Sequence, residues 1–260
     1  MELFDSHAHY DDERFSEDAE EVIQSAYNSG VRYILNAGSD IASSRKSIEL
    51  SEKFNFVFAA AGVHPHEAAK LQNDDEKTII ELCNHPRVAA LGEIGLDYYY
   101  DFSPREVQKF WFSKQLSIAK DLKLPVIIHN RDAHEDTLEM VKSHAPFEAS
   151  GVFHCFSGSW DMAKELLNLG FYISFAGPVT FKNAKKSVEV LRNMPMDRIL
   201  IETDCPYLTP EPFRGRRNNS SFVRLVAEKI AQIKGVQVEE AAEITTGNAK
   251  RLFLQPISSS

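Results

Sequence analysis

The chain has 260 residues, 43% of them hydrophobic and 26% charged, enough apolar material for one large core. Its net charge of −9 argues against a broad basic surface for duplex DNA, where each phosphate contact needs a Lys or Arg, but leaves open a strand end held by metals and a few arginines. Three cysteines without paired spacing (Cys83, Cys155, Cys205) fit a reducing compartment and no disulfide framework, and no apolar run is long enough to span a membrane.

Glu2 and Asp5 open the chain without a basic or apolar leader, so no signal peptide is expected. Short apolar runs then alternate with amphipathic stretches. The runs predict strands at Glu2–Phe4, Val31–Asn36, Phe56–Gly62, Val88–Ile94, Pro125–His129, Gly151–Phe156, Phe171–Phe175 and Arg198–Glu202. Their shortness and their β-branched and aromatic content favour buried parallel strands. Helices are expected between them, at Ser16–Ser29, Ile41–Lys53, Glu76–Cys83, Glu106–Leu122, Glu135–Ser143 and Trp160–Leu169. Ser16 and Ser103, the latter followed by Pro104, are expected to open helices, and Gly30 and Gly170 to close them. Val236–Leu254 is expected as helical cover, and Gln255–Ser260 as a frayed tail. Eight βα units of about thirty residues predict a single α/β domain over 1–254, a (β/α)8 TIM barrel with its active site at the C-terminal strand ends.

The polar residues at those strand ends carry the chemistry. His7 and His9, at i and i+2 on a strand, share one face. Glu93 is expected at the end of the fourth strand, His129 of the fifth, His154 of the sixth and Asp204 of the eighth. Four imidazoles and two carboxylates suit a pair of divalent cations. A carboxylate has two oxygens, so Glu93 is expected to bridge them, with His7, His9 and Asp204 on one and His129 and His154 on the other. Asp204 is also expected to serve as general base. The donor set suits Zn, Mn, Fe or Co, with Mg able to act in vitro.

His64, ending the third strand with no paired ligand, is expected to contact a substrate phosphate or a water. His66 reads as a loop residue, and Glu202 as a partner orienting a ligand from one layer deeper. Arg214 and Arg216, in the densest basic cluster, are expected to contact phosphate, with Lys182, Lys185 and Lys186 as a second positive group. Tyr98, Tyr99, Tyr100 and Phe102 after the fourth strand form either a base-stacking surface or a hydrophobic lid. Cys155 and Cys205 are expected to turn away from the metals into the strand–helix packing. The phosphate loop of nucleotide kinases and the Gly-x-Ser-x-Gly elbow are both absent.

These residues form motifs that resemble a known family. Asp5-Ser6-His7-Ala8-His9, Gly62-Val63-His64-Pro65-His66, Gly92-Glu93-Ile94-Gly95-Leu96-Asp97-Tyr98, His129-Asn130-Arg131, His154-Cys155-Phe156-Ser157-Gly158 and Glu202-Thr203-Asp204-Cys205-Pro206-Tyr207-Leu208 are similar to those of the TatD-type metal-dependent deoxyribonucleases of the amidohydrolase superfamily. Arg214-Gly215-Arg216-Arg217-Asn218 and Gly247-Asn248-Ala249-Lys250-Arg251-Leu252-Phe253 extend the likeness to nearly the whole chain. Glu93 stands where many other amidohydrolases carry a modified lysine. The resemblance implies a cytoplasmic hydrolase, expected here as a monomer, that cleaves DNA phosphodiester bonds. Some members work as 3′→5′ exonucleases, so a single-stranded or frayed 3′ end is the expected substrate. The competing expectation is an amide or carboxylic-ester hydrolase, such as a D-aminoacyl-tRNA deacylase, in which the same metals polarise a carbonyl.

Overall fold

The computed structural model describes residues 1–254, and the expected tail at Gln255–Ser260 lies outside the described residues. Among the described residues, eight strands pair in parallel in strict chain order. They are β1 (Leu3–Ala8), β2 (Val31–Ala37), β3 (Val57–Ala61), β4 (Val88–Asp97), β5 (Val126–Arg131), β6 (Gly151–Phe153), β7 (Tyr172–Phe175) and β8 (Ile199–Ile201). Nine α-helices accompany them: α1 (Ala19–Asn28), α2 (Ile41–Lys53), α3 (Asp75–Cys83), α4 (Arg105–Leu122), α5 (His134–His144), α6 (Trp160–Asn168), α7 (Lys185–Asn193), α8 (Val223–Lys234) and α9 (Val238–Phe253). This is the expected (β/α)8 barrel. No helix among the described residues is long and apolar enough to cross a membrane.

Closure between β1 and β8 extends beyond the short last strand. Ala8 bridges to Cys205, Asp204 N–H donates to the His7 carbonyl at 2.9 Å, and His9 N–H donates to the Cys205 carbonyl at 2.8 Å. Buried Asp5 adds a side-chain clasp, accepting from the Thr203 N–H at 2.8 Å and its hydroxyl at 2.6 Å. Burial pushes the Asp5 carboxyl up to about 7 against these hydrogen bonds.

The core has two parts. Alternate strand residues pack outward against the helices, while Phe4, Leu35, Ala60, Ile127 and Leu200 fill the barrel with Leu252 and Phe253 of α9. Asn248 of α9 donates to the Ile199 carbonyl at 2.8 Å and Thr246 to the Glu2 carbonyl at 3.2 Å. Both acceptors lie at strand beginnings, so α9 seals the end of the barrel opposite the site.

Several boundaries differ from the sequence expectations, each for a local reason. A 3-10 turn at Glu13–Phe15 takes up the residues before α1, so Ser16 ends that turn and α1 starts at Ala19. Ser103 spends its hydroxyl on the His66 carbonyl and the Ala69 N–H and caps no helix. Helices α7 and α8 occupy stretches to which no element was assigned, and Lys185 and Lys186 open the first of them. Strand β1 runs on to Ala8, placing His7 inside it. Strand β4 passes the expected end at Ile94 and pairs Gly95 with His129 and Asp97 with Arg131.

Gly95 permits that extension. Its φ is +146°, and a Cβ there would stand 1.9 Å from the His129 carbonyl oxygen. Gly95→Ala is therefore expected to cost about 1–3 kcal/mol and to lower the thermal midpoint by several degrees, at about 2–4 °C per kcal/mol for a chain of this size. An unchanged midpoint in differential scanning calorimetry would show that β4 shifts to accommodate the methyl.

Candidate metal centre

The barrel mouth holds a cavity of about 800 Å³ whose wall includes His9, His64, Glu93, His129, His154 and Asp204. Glu93 is its centre. One carboxylate oxygen, Oε2, lies 3.2 Å from His7 Nε2 and 3.6 Å from His9 Nε2. The other, Oε1, lies 2.8 Å from His129 Nδ1 and 2.7 Å from His154 Nε2. Asp204 Oδ1 joins the first group, 3.3 Å from His9 Nε2 and 3.8 Å from His7 Nε2. The six residues expected as ligands thus meet at one point. Glu93 does so from the middle of β4 rather than its end, because the strand continues to Asp97.

For His9 and His129, hydrogen bonds on the outer side of the ring decide what the inner nitrogen can do. His9 Nδ1 faces the Ala37 carbonyl at 2.8 Å, so it carries the hydrogen and Nε2 presents a lone pair. His129 Nε2 faces Asp97 Oδ2 at 3.0 Å, so a neutral ring turns a lone pair from Nδ1 toward the Glu93 carboxylate. His154 Nδ1 lies 3.4 Å from Glu202 Oε1, within ion-pair range but out of hydrogen-bonding alignment. Neutral imidazole lone pairs directed at a carboxylate repel it unless a proton or cation lies between them. The donor set therefore fits bound cations.

Proximity alone also groups His64 with Glu93 and His129, and His154 with His7 and Glu202. The His64 tautomer separates it from the ligands. Its Nδ1 accepts the His66 N–H at 3.1 Å, leaving the hydrogen on Nε2, which lies 3.5 Å from Glu93 Oε1. Burial holds the His64 pKa well below the ordinary histidine value, with His129 adding to the effect, so it remains a neutral donor. Glu202 accepts from the Cys155 N–H at 2.8 Å and the Ser174 hydroxyl at 2.6 Å, fixing the turn that carries His154.

The other titrations follow from the crowding. Burial opposes ionisation of Glu93, but the surrounding histidines outweigh it and hold the carboxyl well below its usual range. Burial likewise opposes ionisation of Asp204, and His9 outweighs it, keeping that carboxyl low. In the absence of a cation, burial disfavours charge on His9 while Asp204 and Glu93 favour it, and the balance lifts its pKa to about 9.

Residues without an assigned role in the sequence reading complete the site. Asp97 Oδ2 accepts from both His129 Nε2, at 3.0 Å, and His66 Nε2, at 2.9 Å. The signal for it is period 2 along β4, which aligns Glu93, Gly95 and Asp97 once the strand is carried to its true end. Cys155 lines the cavity instead of the strand–helix packing, because the chain leaves β6 through a left-handed turn, φ +42°, at that residue. Cys205 is fully buried as expected. Arg214 and Arg216 are exposed outside the cavity wall, with guanidinium groups 4.4 Å from the Phe181 ring centre and 5.5 Å from that of Phe213.

A family model described as TatD related DNase matches residues 4–254. An uncharacterised metal-dependent hydrolase, YabD of Bacillus subtilis, is 49% identical over 251 residues, 96% of this chain and 98% of that one. The 3′-5′ ssDNA/RNA exonuclease TatD of Escherichia coli is 34% identical over 257 residues, 96% of this chain and 98% of that one. Among solved structures, the TatD homologue YjjV of E. coli superposes with a TM-score of 0.92 at 30% identity, covering 98% of each chain.

Asp97→Asn is expected to leave the fold intact and weaken metal retention by about 10–100-fold, the usual effect of losing a partner that orients a ligand. Titration with a chromophoric chelator measures this. Wild-type retention would mean that His129 is held without Asp97.

Proposed function

The chain belongs to the TatD-related DNase family, and on that premise we propose that it is a metal-dependent hydrolase releasing nucleotides from the 3′ end of single-stranded or frayed DNA. The observation that carries this reading is the division of Glu93, each of whose oxygens faces its own pair of imidazoles.

His7, His9 and Asp204 would hold one divalent cation with Oε2 of Glu93, and His129 and His154 a second with Oε1. Zn, Mn or Co suits this imidazole-rich set, with Mg able to substitute in vitro. When bound, two such cations activate a water and neutralise charge on the scissile phosphate. The chain supplies the remaining parts. Asp204 lines the cavity, and its depressed pKa leaves it unprotonated near neutrality, able to take a proton from the attacking water. Neutral His64 offers Nε2–H to a phosphate oxygen. Arg214 and Arg216, exposed and without an ion pair among the described residues, would meet phosphates further along the strand. A pit in an acidic protein favours a strand end over the interior of a duplex.

A strong chelator should abolish hydrolysis of an end-labelled single strand, and Mn²⁺, Co²⁺ or Zn²⁺ should restore it. Full activity in protein shown by elemental analysis to be metal-free would sink the mechanism. Glu93→Gln should lower kcat/KM by more than the roughly 10–100-fold typical of a residue that only orients a ligand. Mononucleotides should appear stepwise from the 3′ end, while a closed circle resists. A circle cut as fast as the linear strand of the same sequence would replace the exonuclease reading with an endonuclease.

A further inference from the structure

Beside the metal centre, an exposed aromatic surface is left unused by the chemistry described above. Phe102 is 67% exposed and Tyr100 46%, although both are large aromatic side chains. They stack on each other with ring centres 5.1 Å apart and planes 26° off parallel, and both line the cavity. His66 meets their rings edge-on at 5.4 Å and 4.8 Å and packs 4.2 Å from His64, so a single imidazole separates the stack from the phosphate-facing donor. Arg131, also on the cavity wall and exposed, lies 4.0 Å from the Tyr99 ring centre and 4.8 Å from that of Tyr100. Its guanidinium has no ion pair or hydrogen bond among the described residues.

We propose that Tyr100, Phe102 and Arg131 form a nucleotide subsite, with the ring pair stacking a nucleobase and Arg131 taking the adjoining phosphate. The proposal rests on the nuclease reading and extends it to the part of the substrate that the metals do not touch. A flat π surface suits any base and confers no sequence preference. A guanidinium centred over a ring and free of other partners keeps N–H groups available for phosphate oxygens.

The loop is tied in the manner of a preformed platform rather than a lid. Asp97 Oδ1 accepts from the N–H groups of Tyr99 at 3.0 Å and Tyr100 at 2.9 Å. The Tyr98 hydroxyl donates to Asp136 at 2.5 Å, and Arg105 pairs with Asp101 at 2.7 Å. The same carboxylate that orients His129 therefore also sets the height of the stacking surface. A surface ordered before binding loses little conformational freedom on contact.

The test uses the metal-loaded full chain and two fluorescent single-stranded phosphorothioate oligonucleotides, one complete and one abasic over its three 3′-terminal positions, with binding read by anisotropy. Wild type should bind the complete strand at least about fivefold more tightly, the lower end of one base–aromatic stack. In Phe102→Ala and Tyr100→Ala that preference should fall toward unity with metal content unchanged. Arg131→Gln should weaken both strands alike and reduce the salt slope by about 0.7, one phosphate on a single strand. Equal wild-type affinity for the two strands, or a preference that survives both aromatic substitutions, overturns the base subsite. An unchanged salt slope in Arg131→Gln overturns the phosphate arm. Hydrolysis of neither strand's unmodified counterpart, with the base preference present, would instead refute the nuclease reading and leave a binding subsite. Failure to bind either strand refutes both.

Discussion

A carboxylate buried as deeply as that of Glu93 must be neutralised by what surrounds it, and the surroundings are arranged on that condition. Oε2 is turned to His7 and His9, and Oε1 to His129 and His154. Rings so close to one another and to an anion are steadied from outside the cluster at three of the four positions. The Ala37 carbonyl does this for His9, and Asp97 for His129, while Glu202 fixes the turn that carries His154. Each support comes from the barrel wall or the turn just above it, so the placement of the histidines is a property of the fold. Rings fixed in advance would leave less ordering to be done on binding a cation.

The two ends of the barrel have separate tasks. At one end α9 inserts Leu252 and Phe253 among the inward residues of the strands, an apolar seal that also takes in Ala249. At the other end the wall carries His9, His64, Glu93, His129, His154 and Asp204. Hydrophobic burial stabilises the barrel where no chemistry occurs, and the mouth can then tolerate a crowd of like rings and left-handed residues such as Asp204, φ +55°, and Cys155.

Much of this was legible in the chain. The His-x-His pair, Glu93, His129, His154 and Asp204 each follow or end an apolar run, and period 2 together with a barrel's polarity brings them to one mouth. The supports were harder to see. Asp97 stayed hidden because Gly95 looks like a place to stop a strand, whereas here its missing Cβ is what lets the strand go on. Cys155 faces the cavity rather than the strand–helix packing because alternation holds only while the chain remains extended, and it turns at that residue. The tautomer that makes His64 a donor depends on a backbone N–H two residues away, and composition and spacing carry no trace of it.

The clasp between the first and last strands has a consequence for how the molecule comes into being. His7 and His9 are translated well before their partner Asp204, and Asp5 well before Thr203, with which it forms the clasp. Until β8 is made, the edge of β1 that meets it in the finished barrel lacks that neighbour. One half of the centre, Glu93 with His129 and His154, is complete by residue 154, while the other waits for the eighth strand. The order of translation thus separates the two halves of the cluster in time, and α9, which seals the floor, follows both.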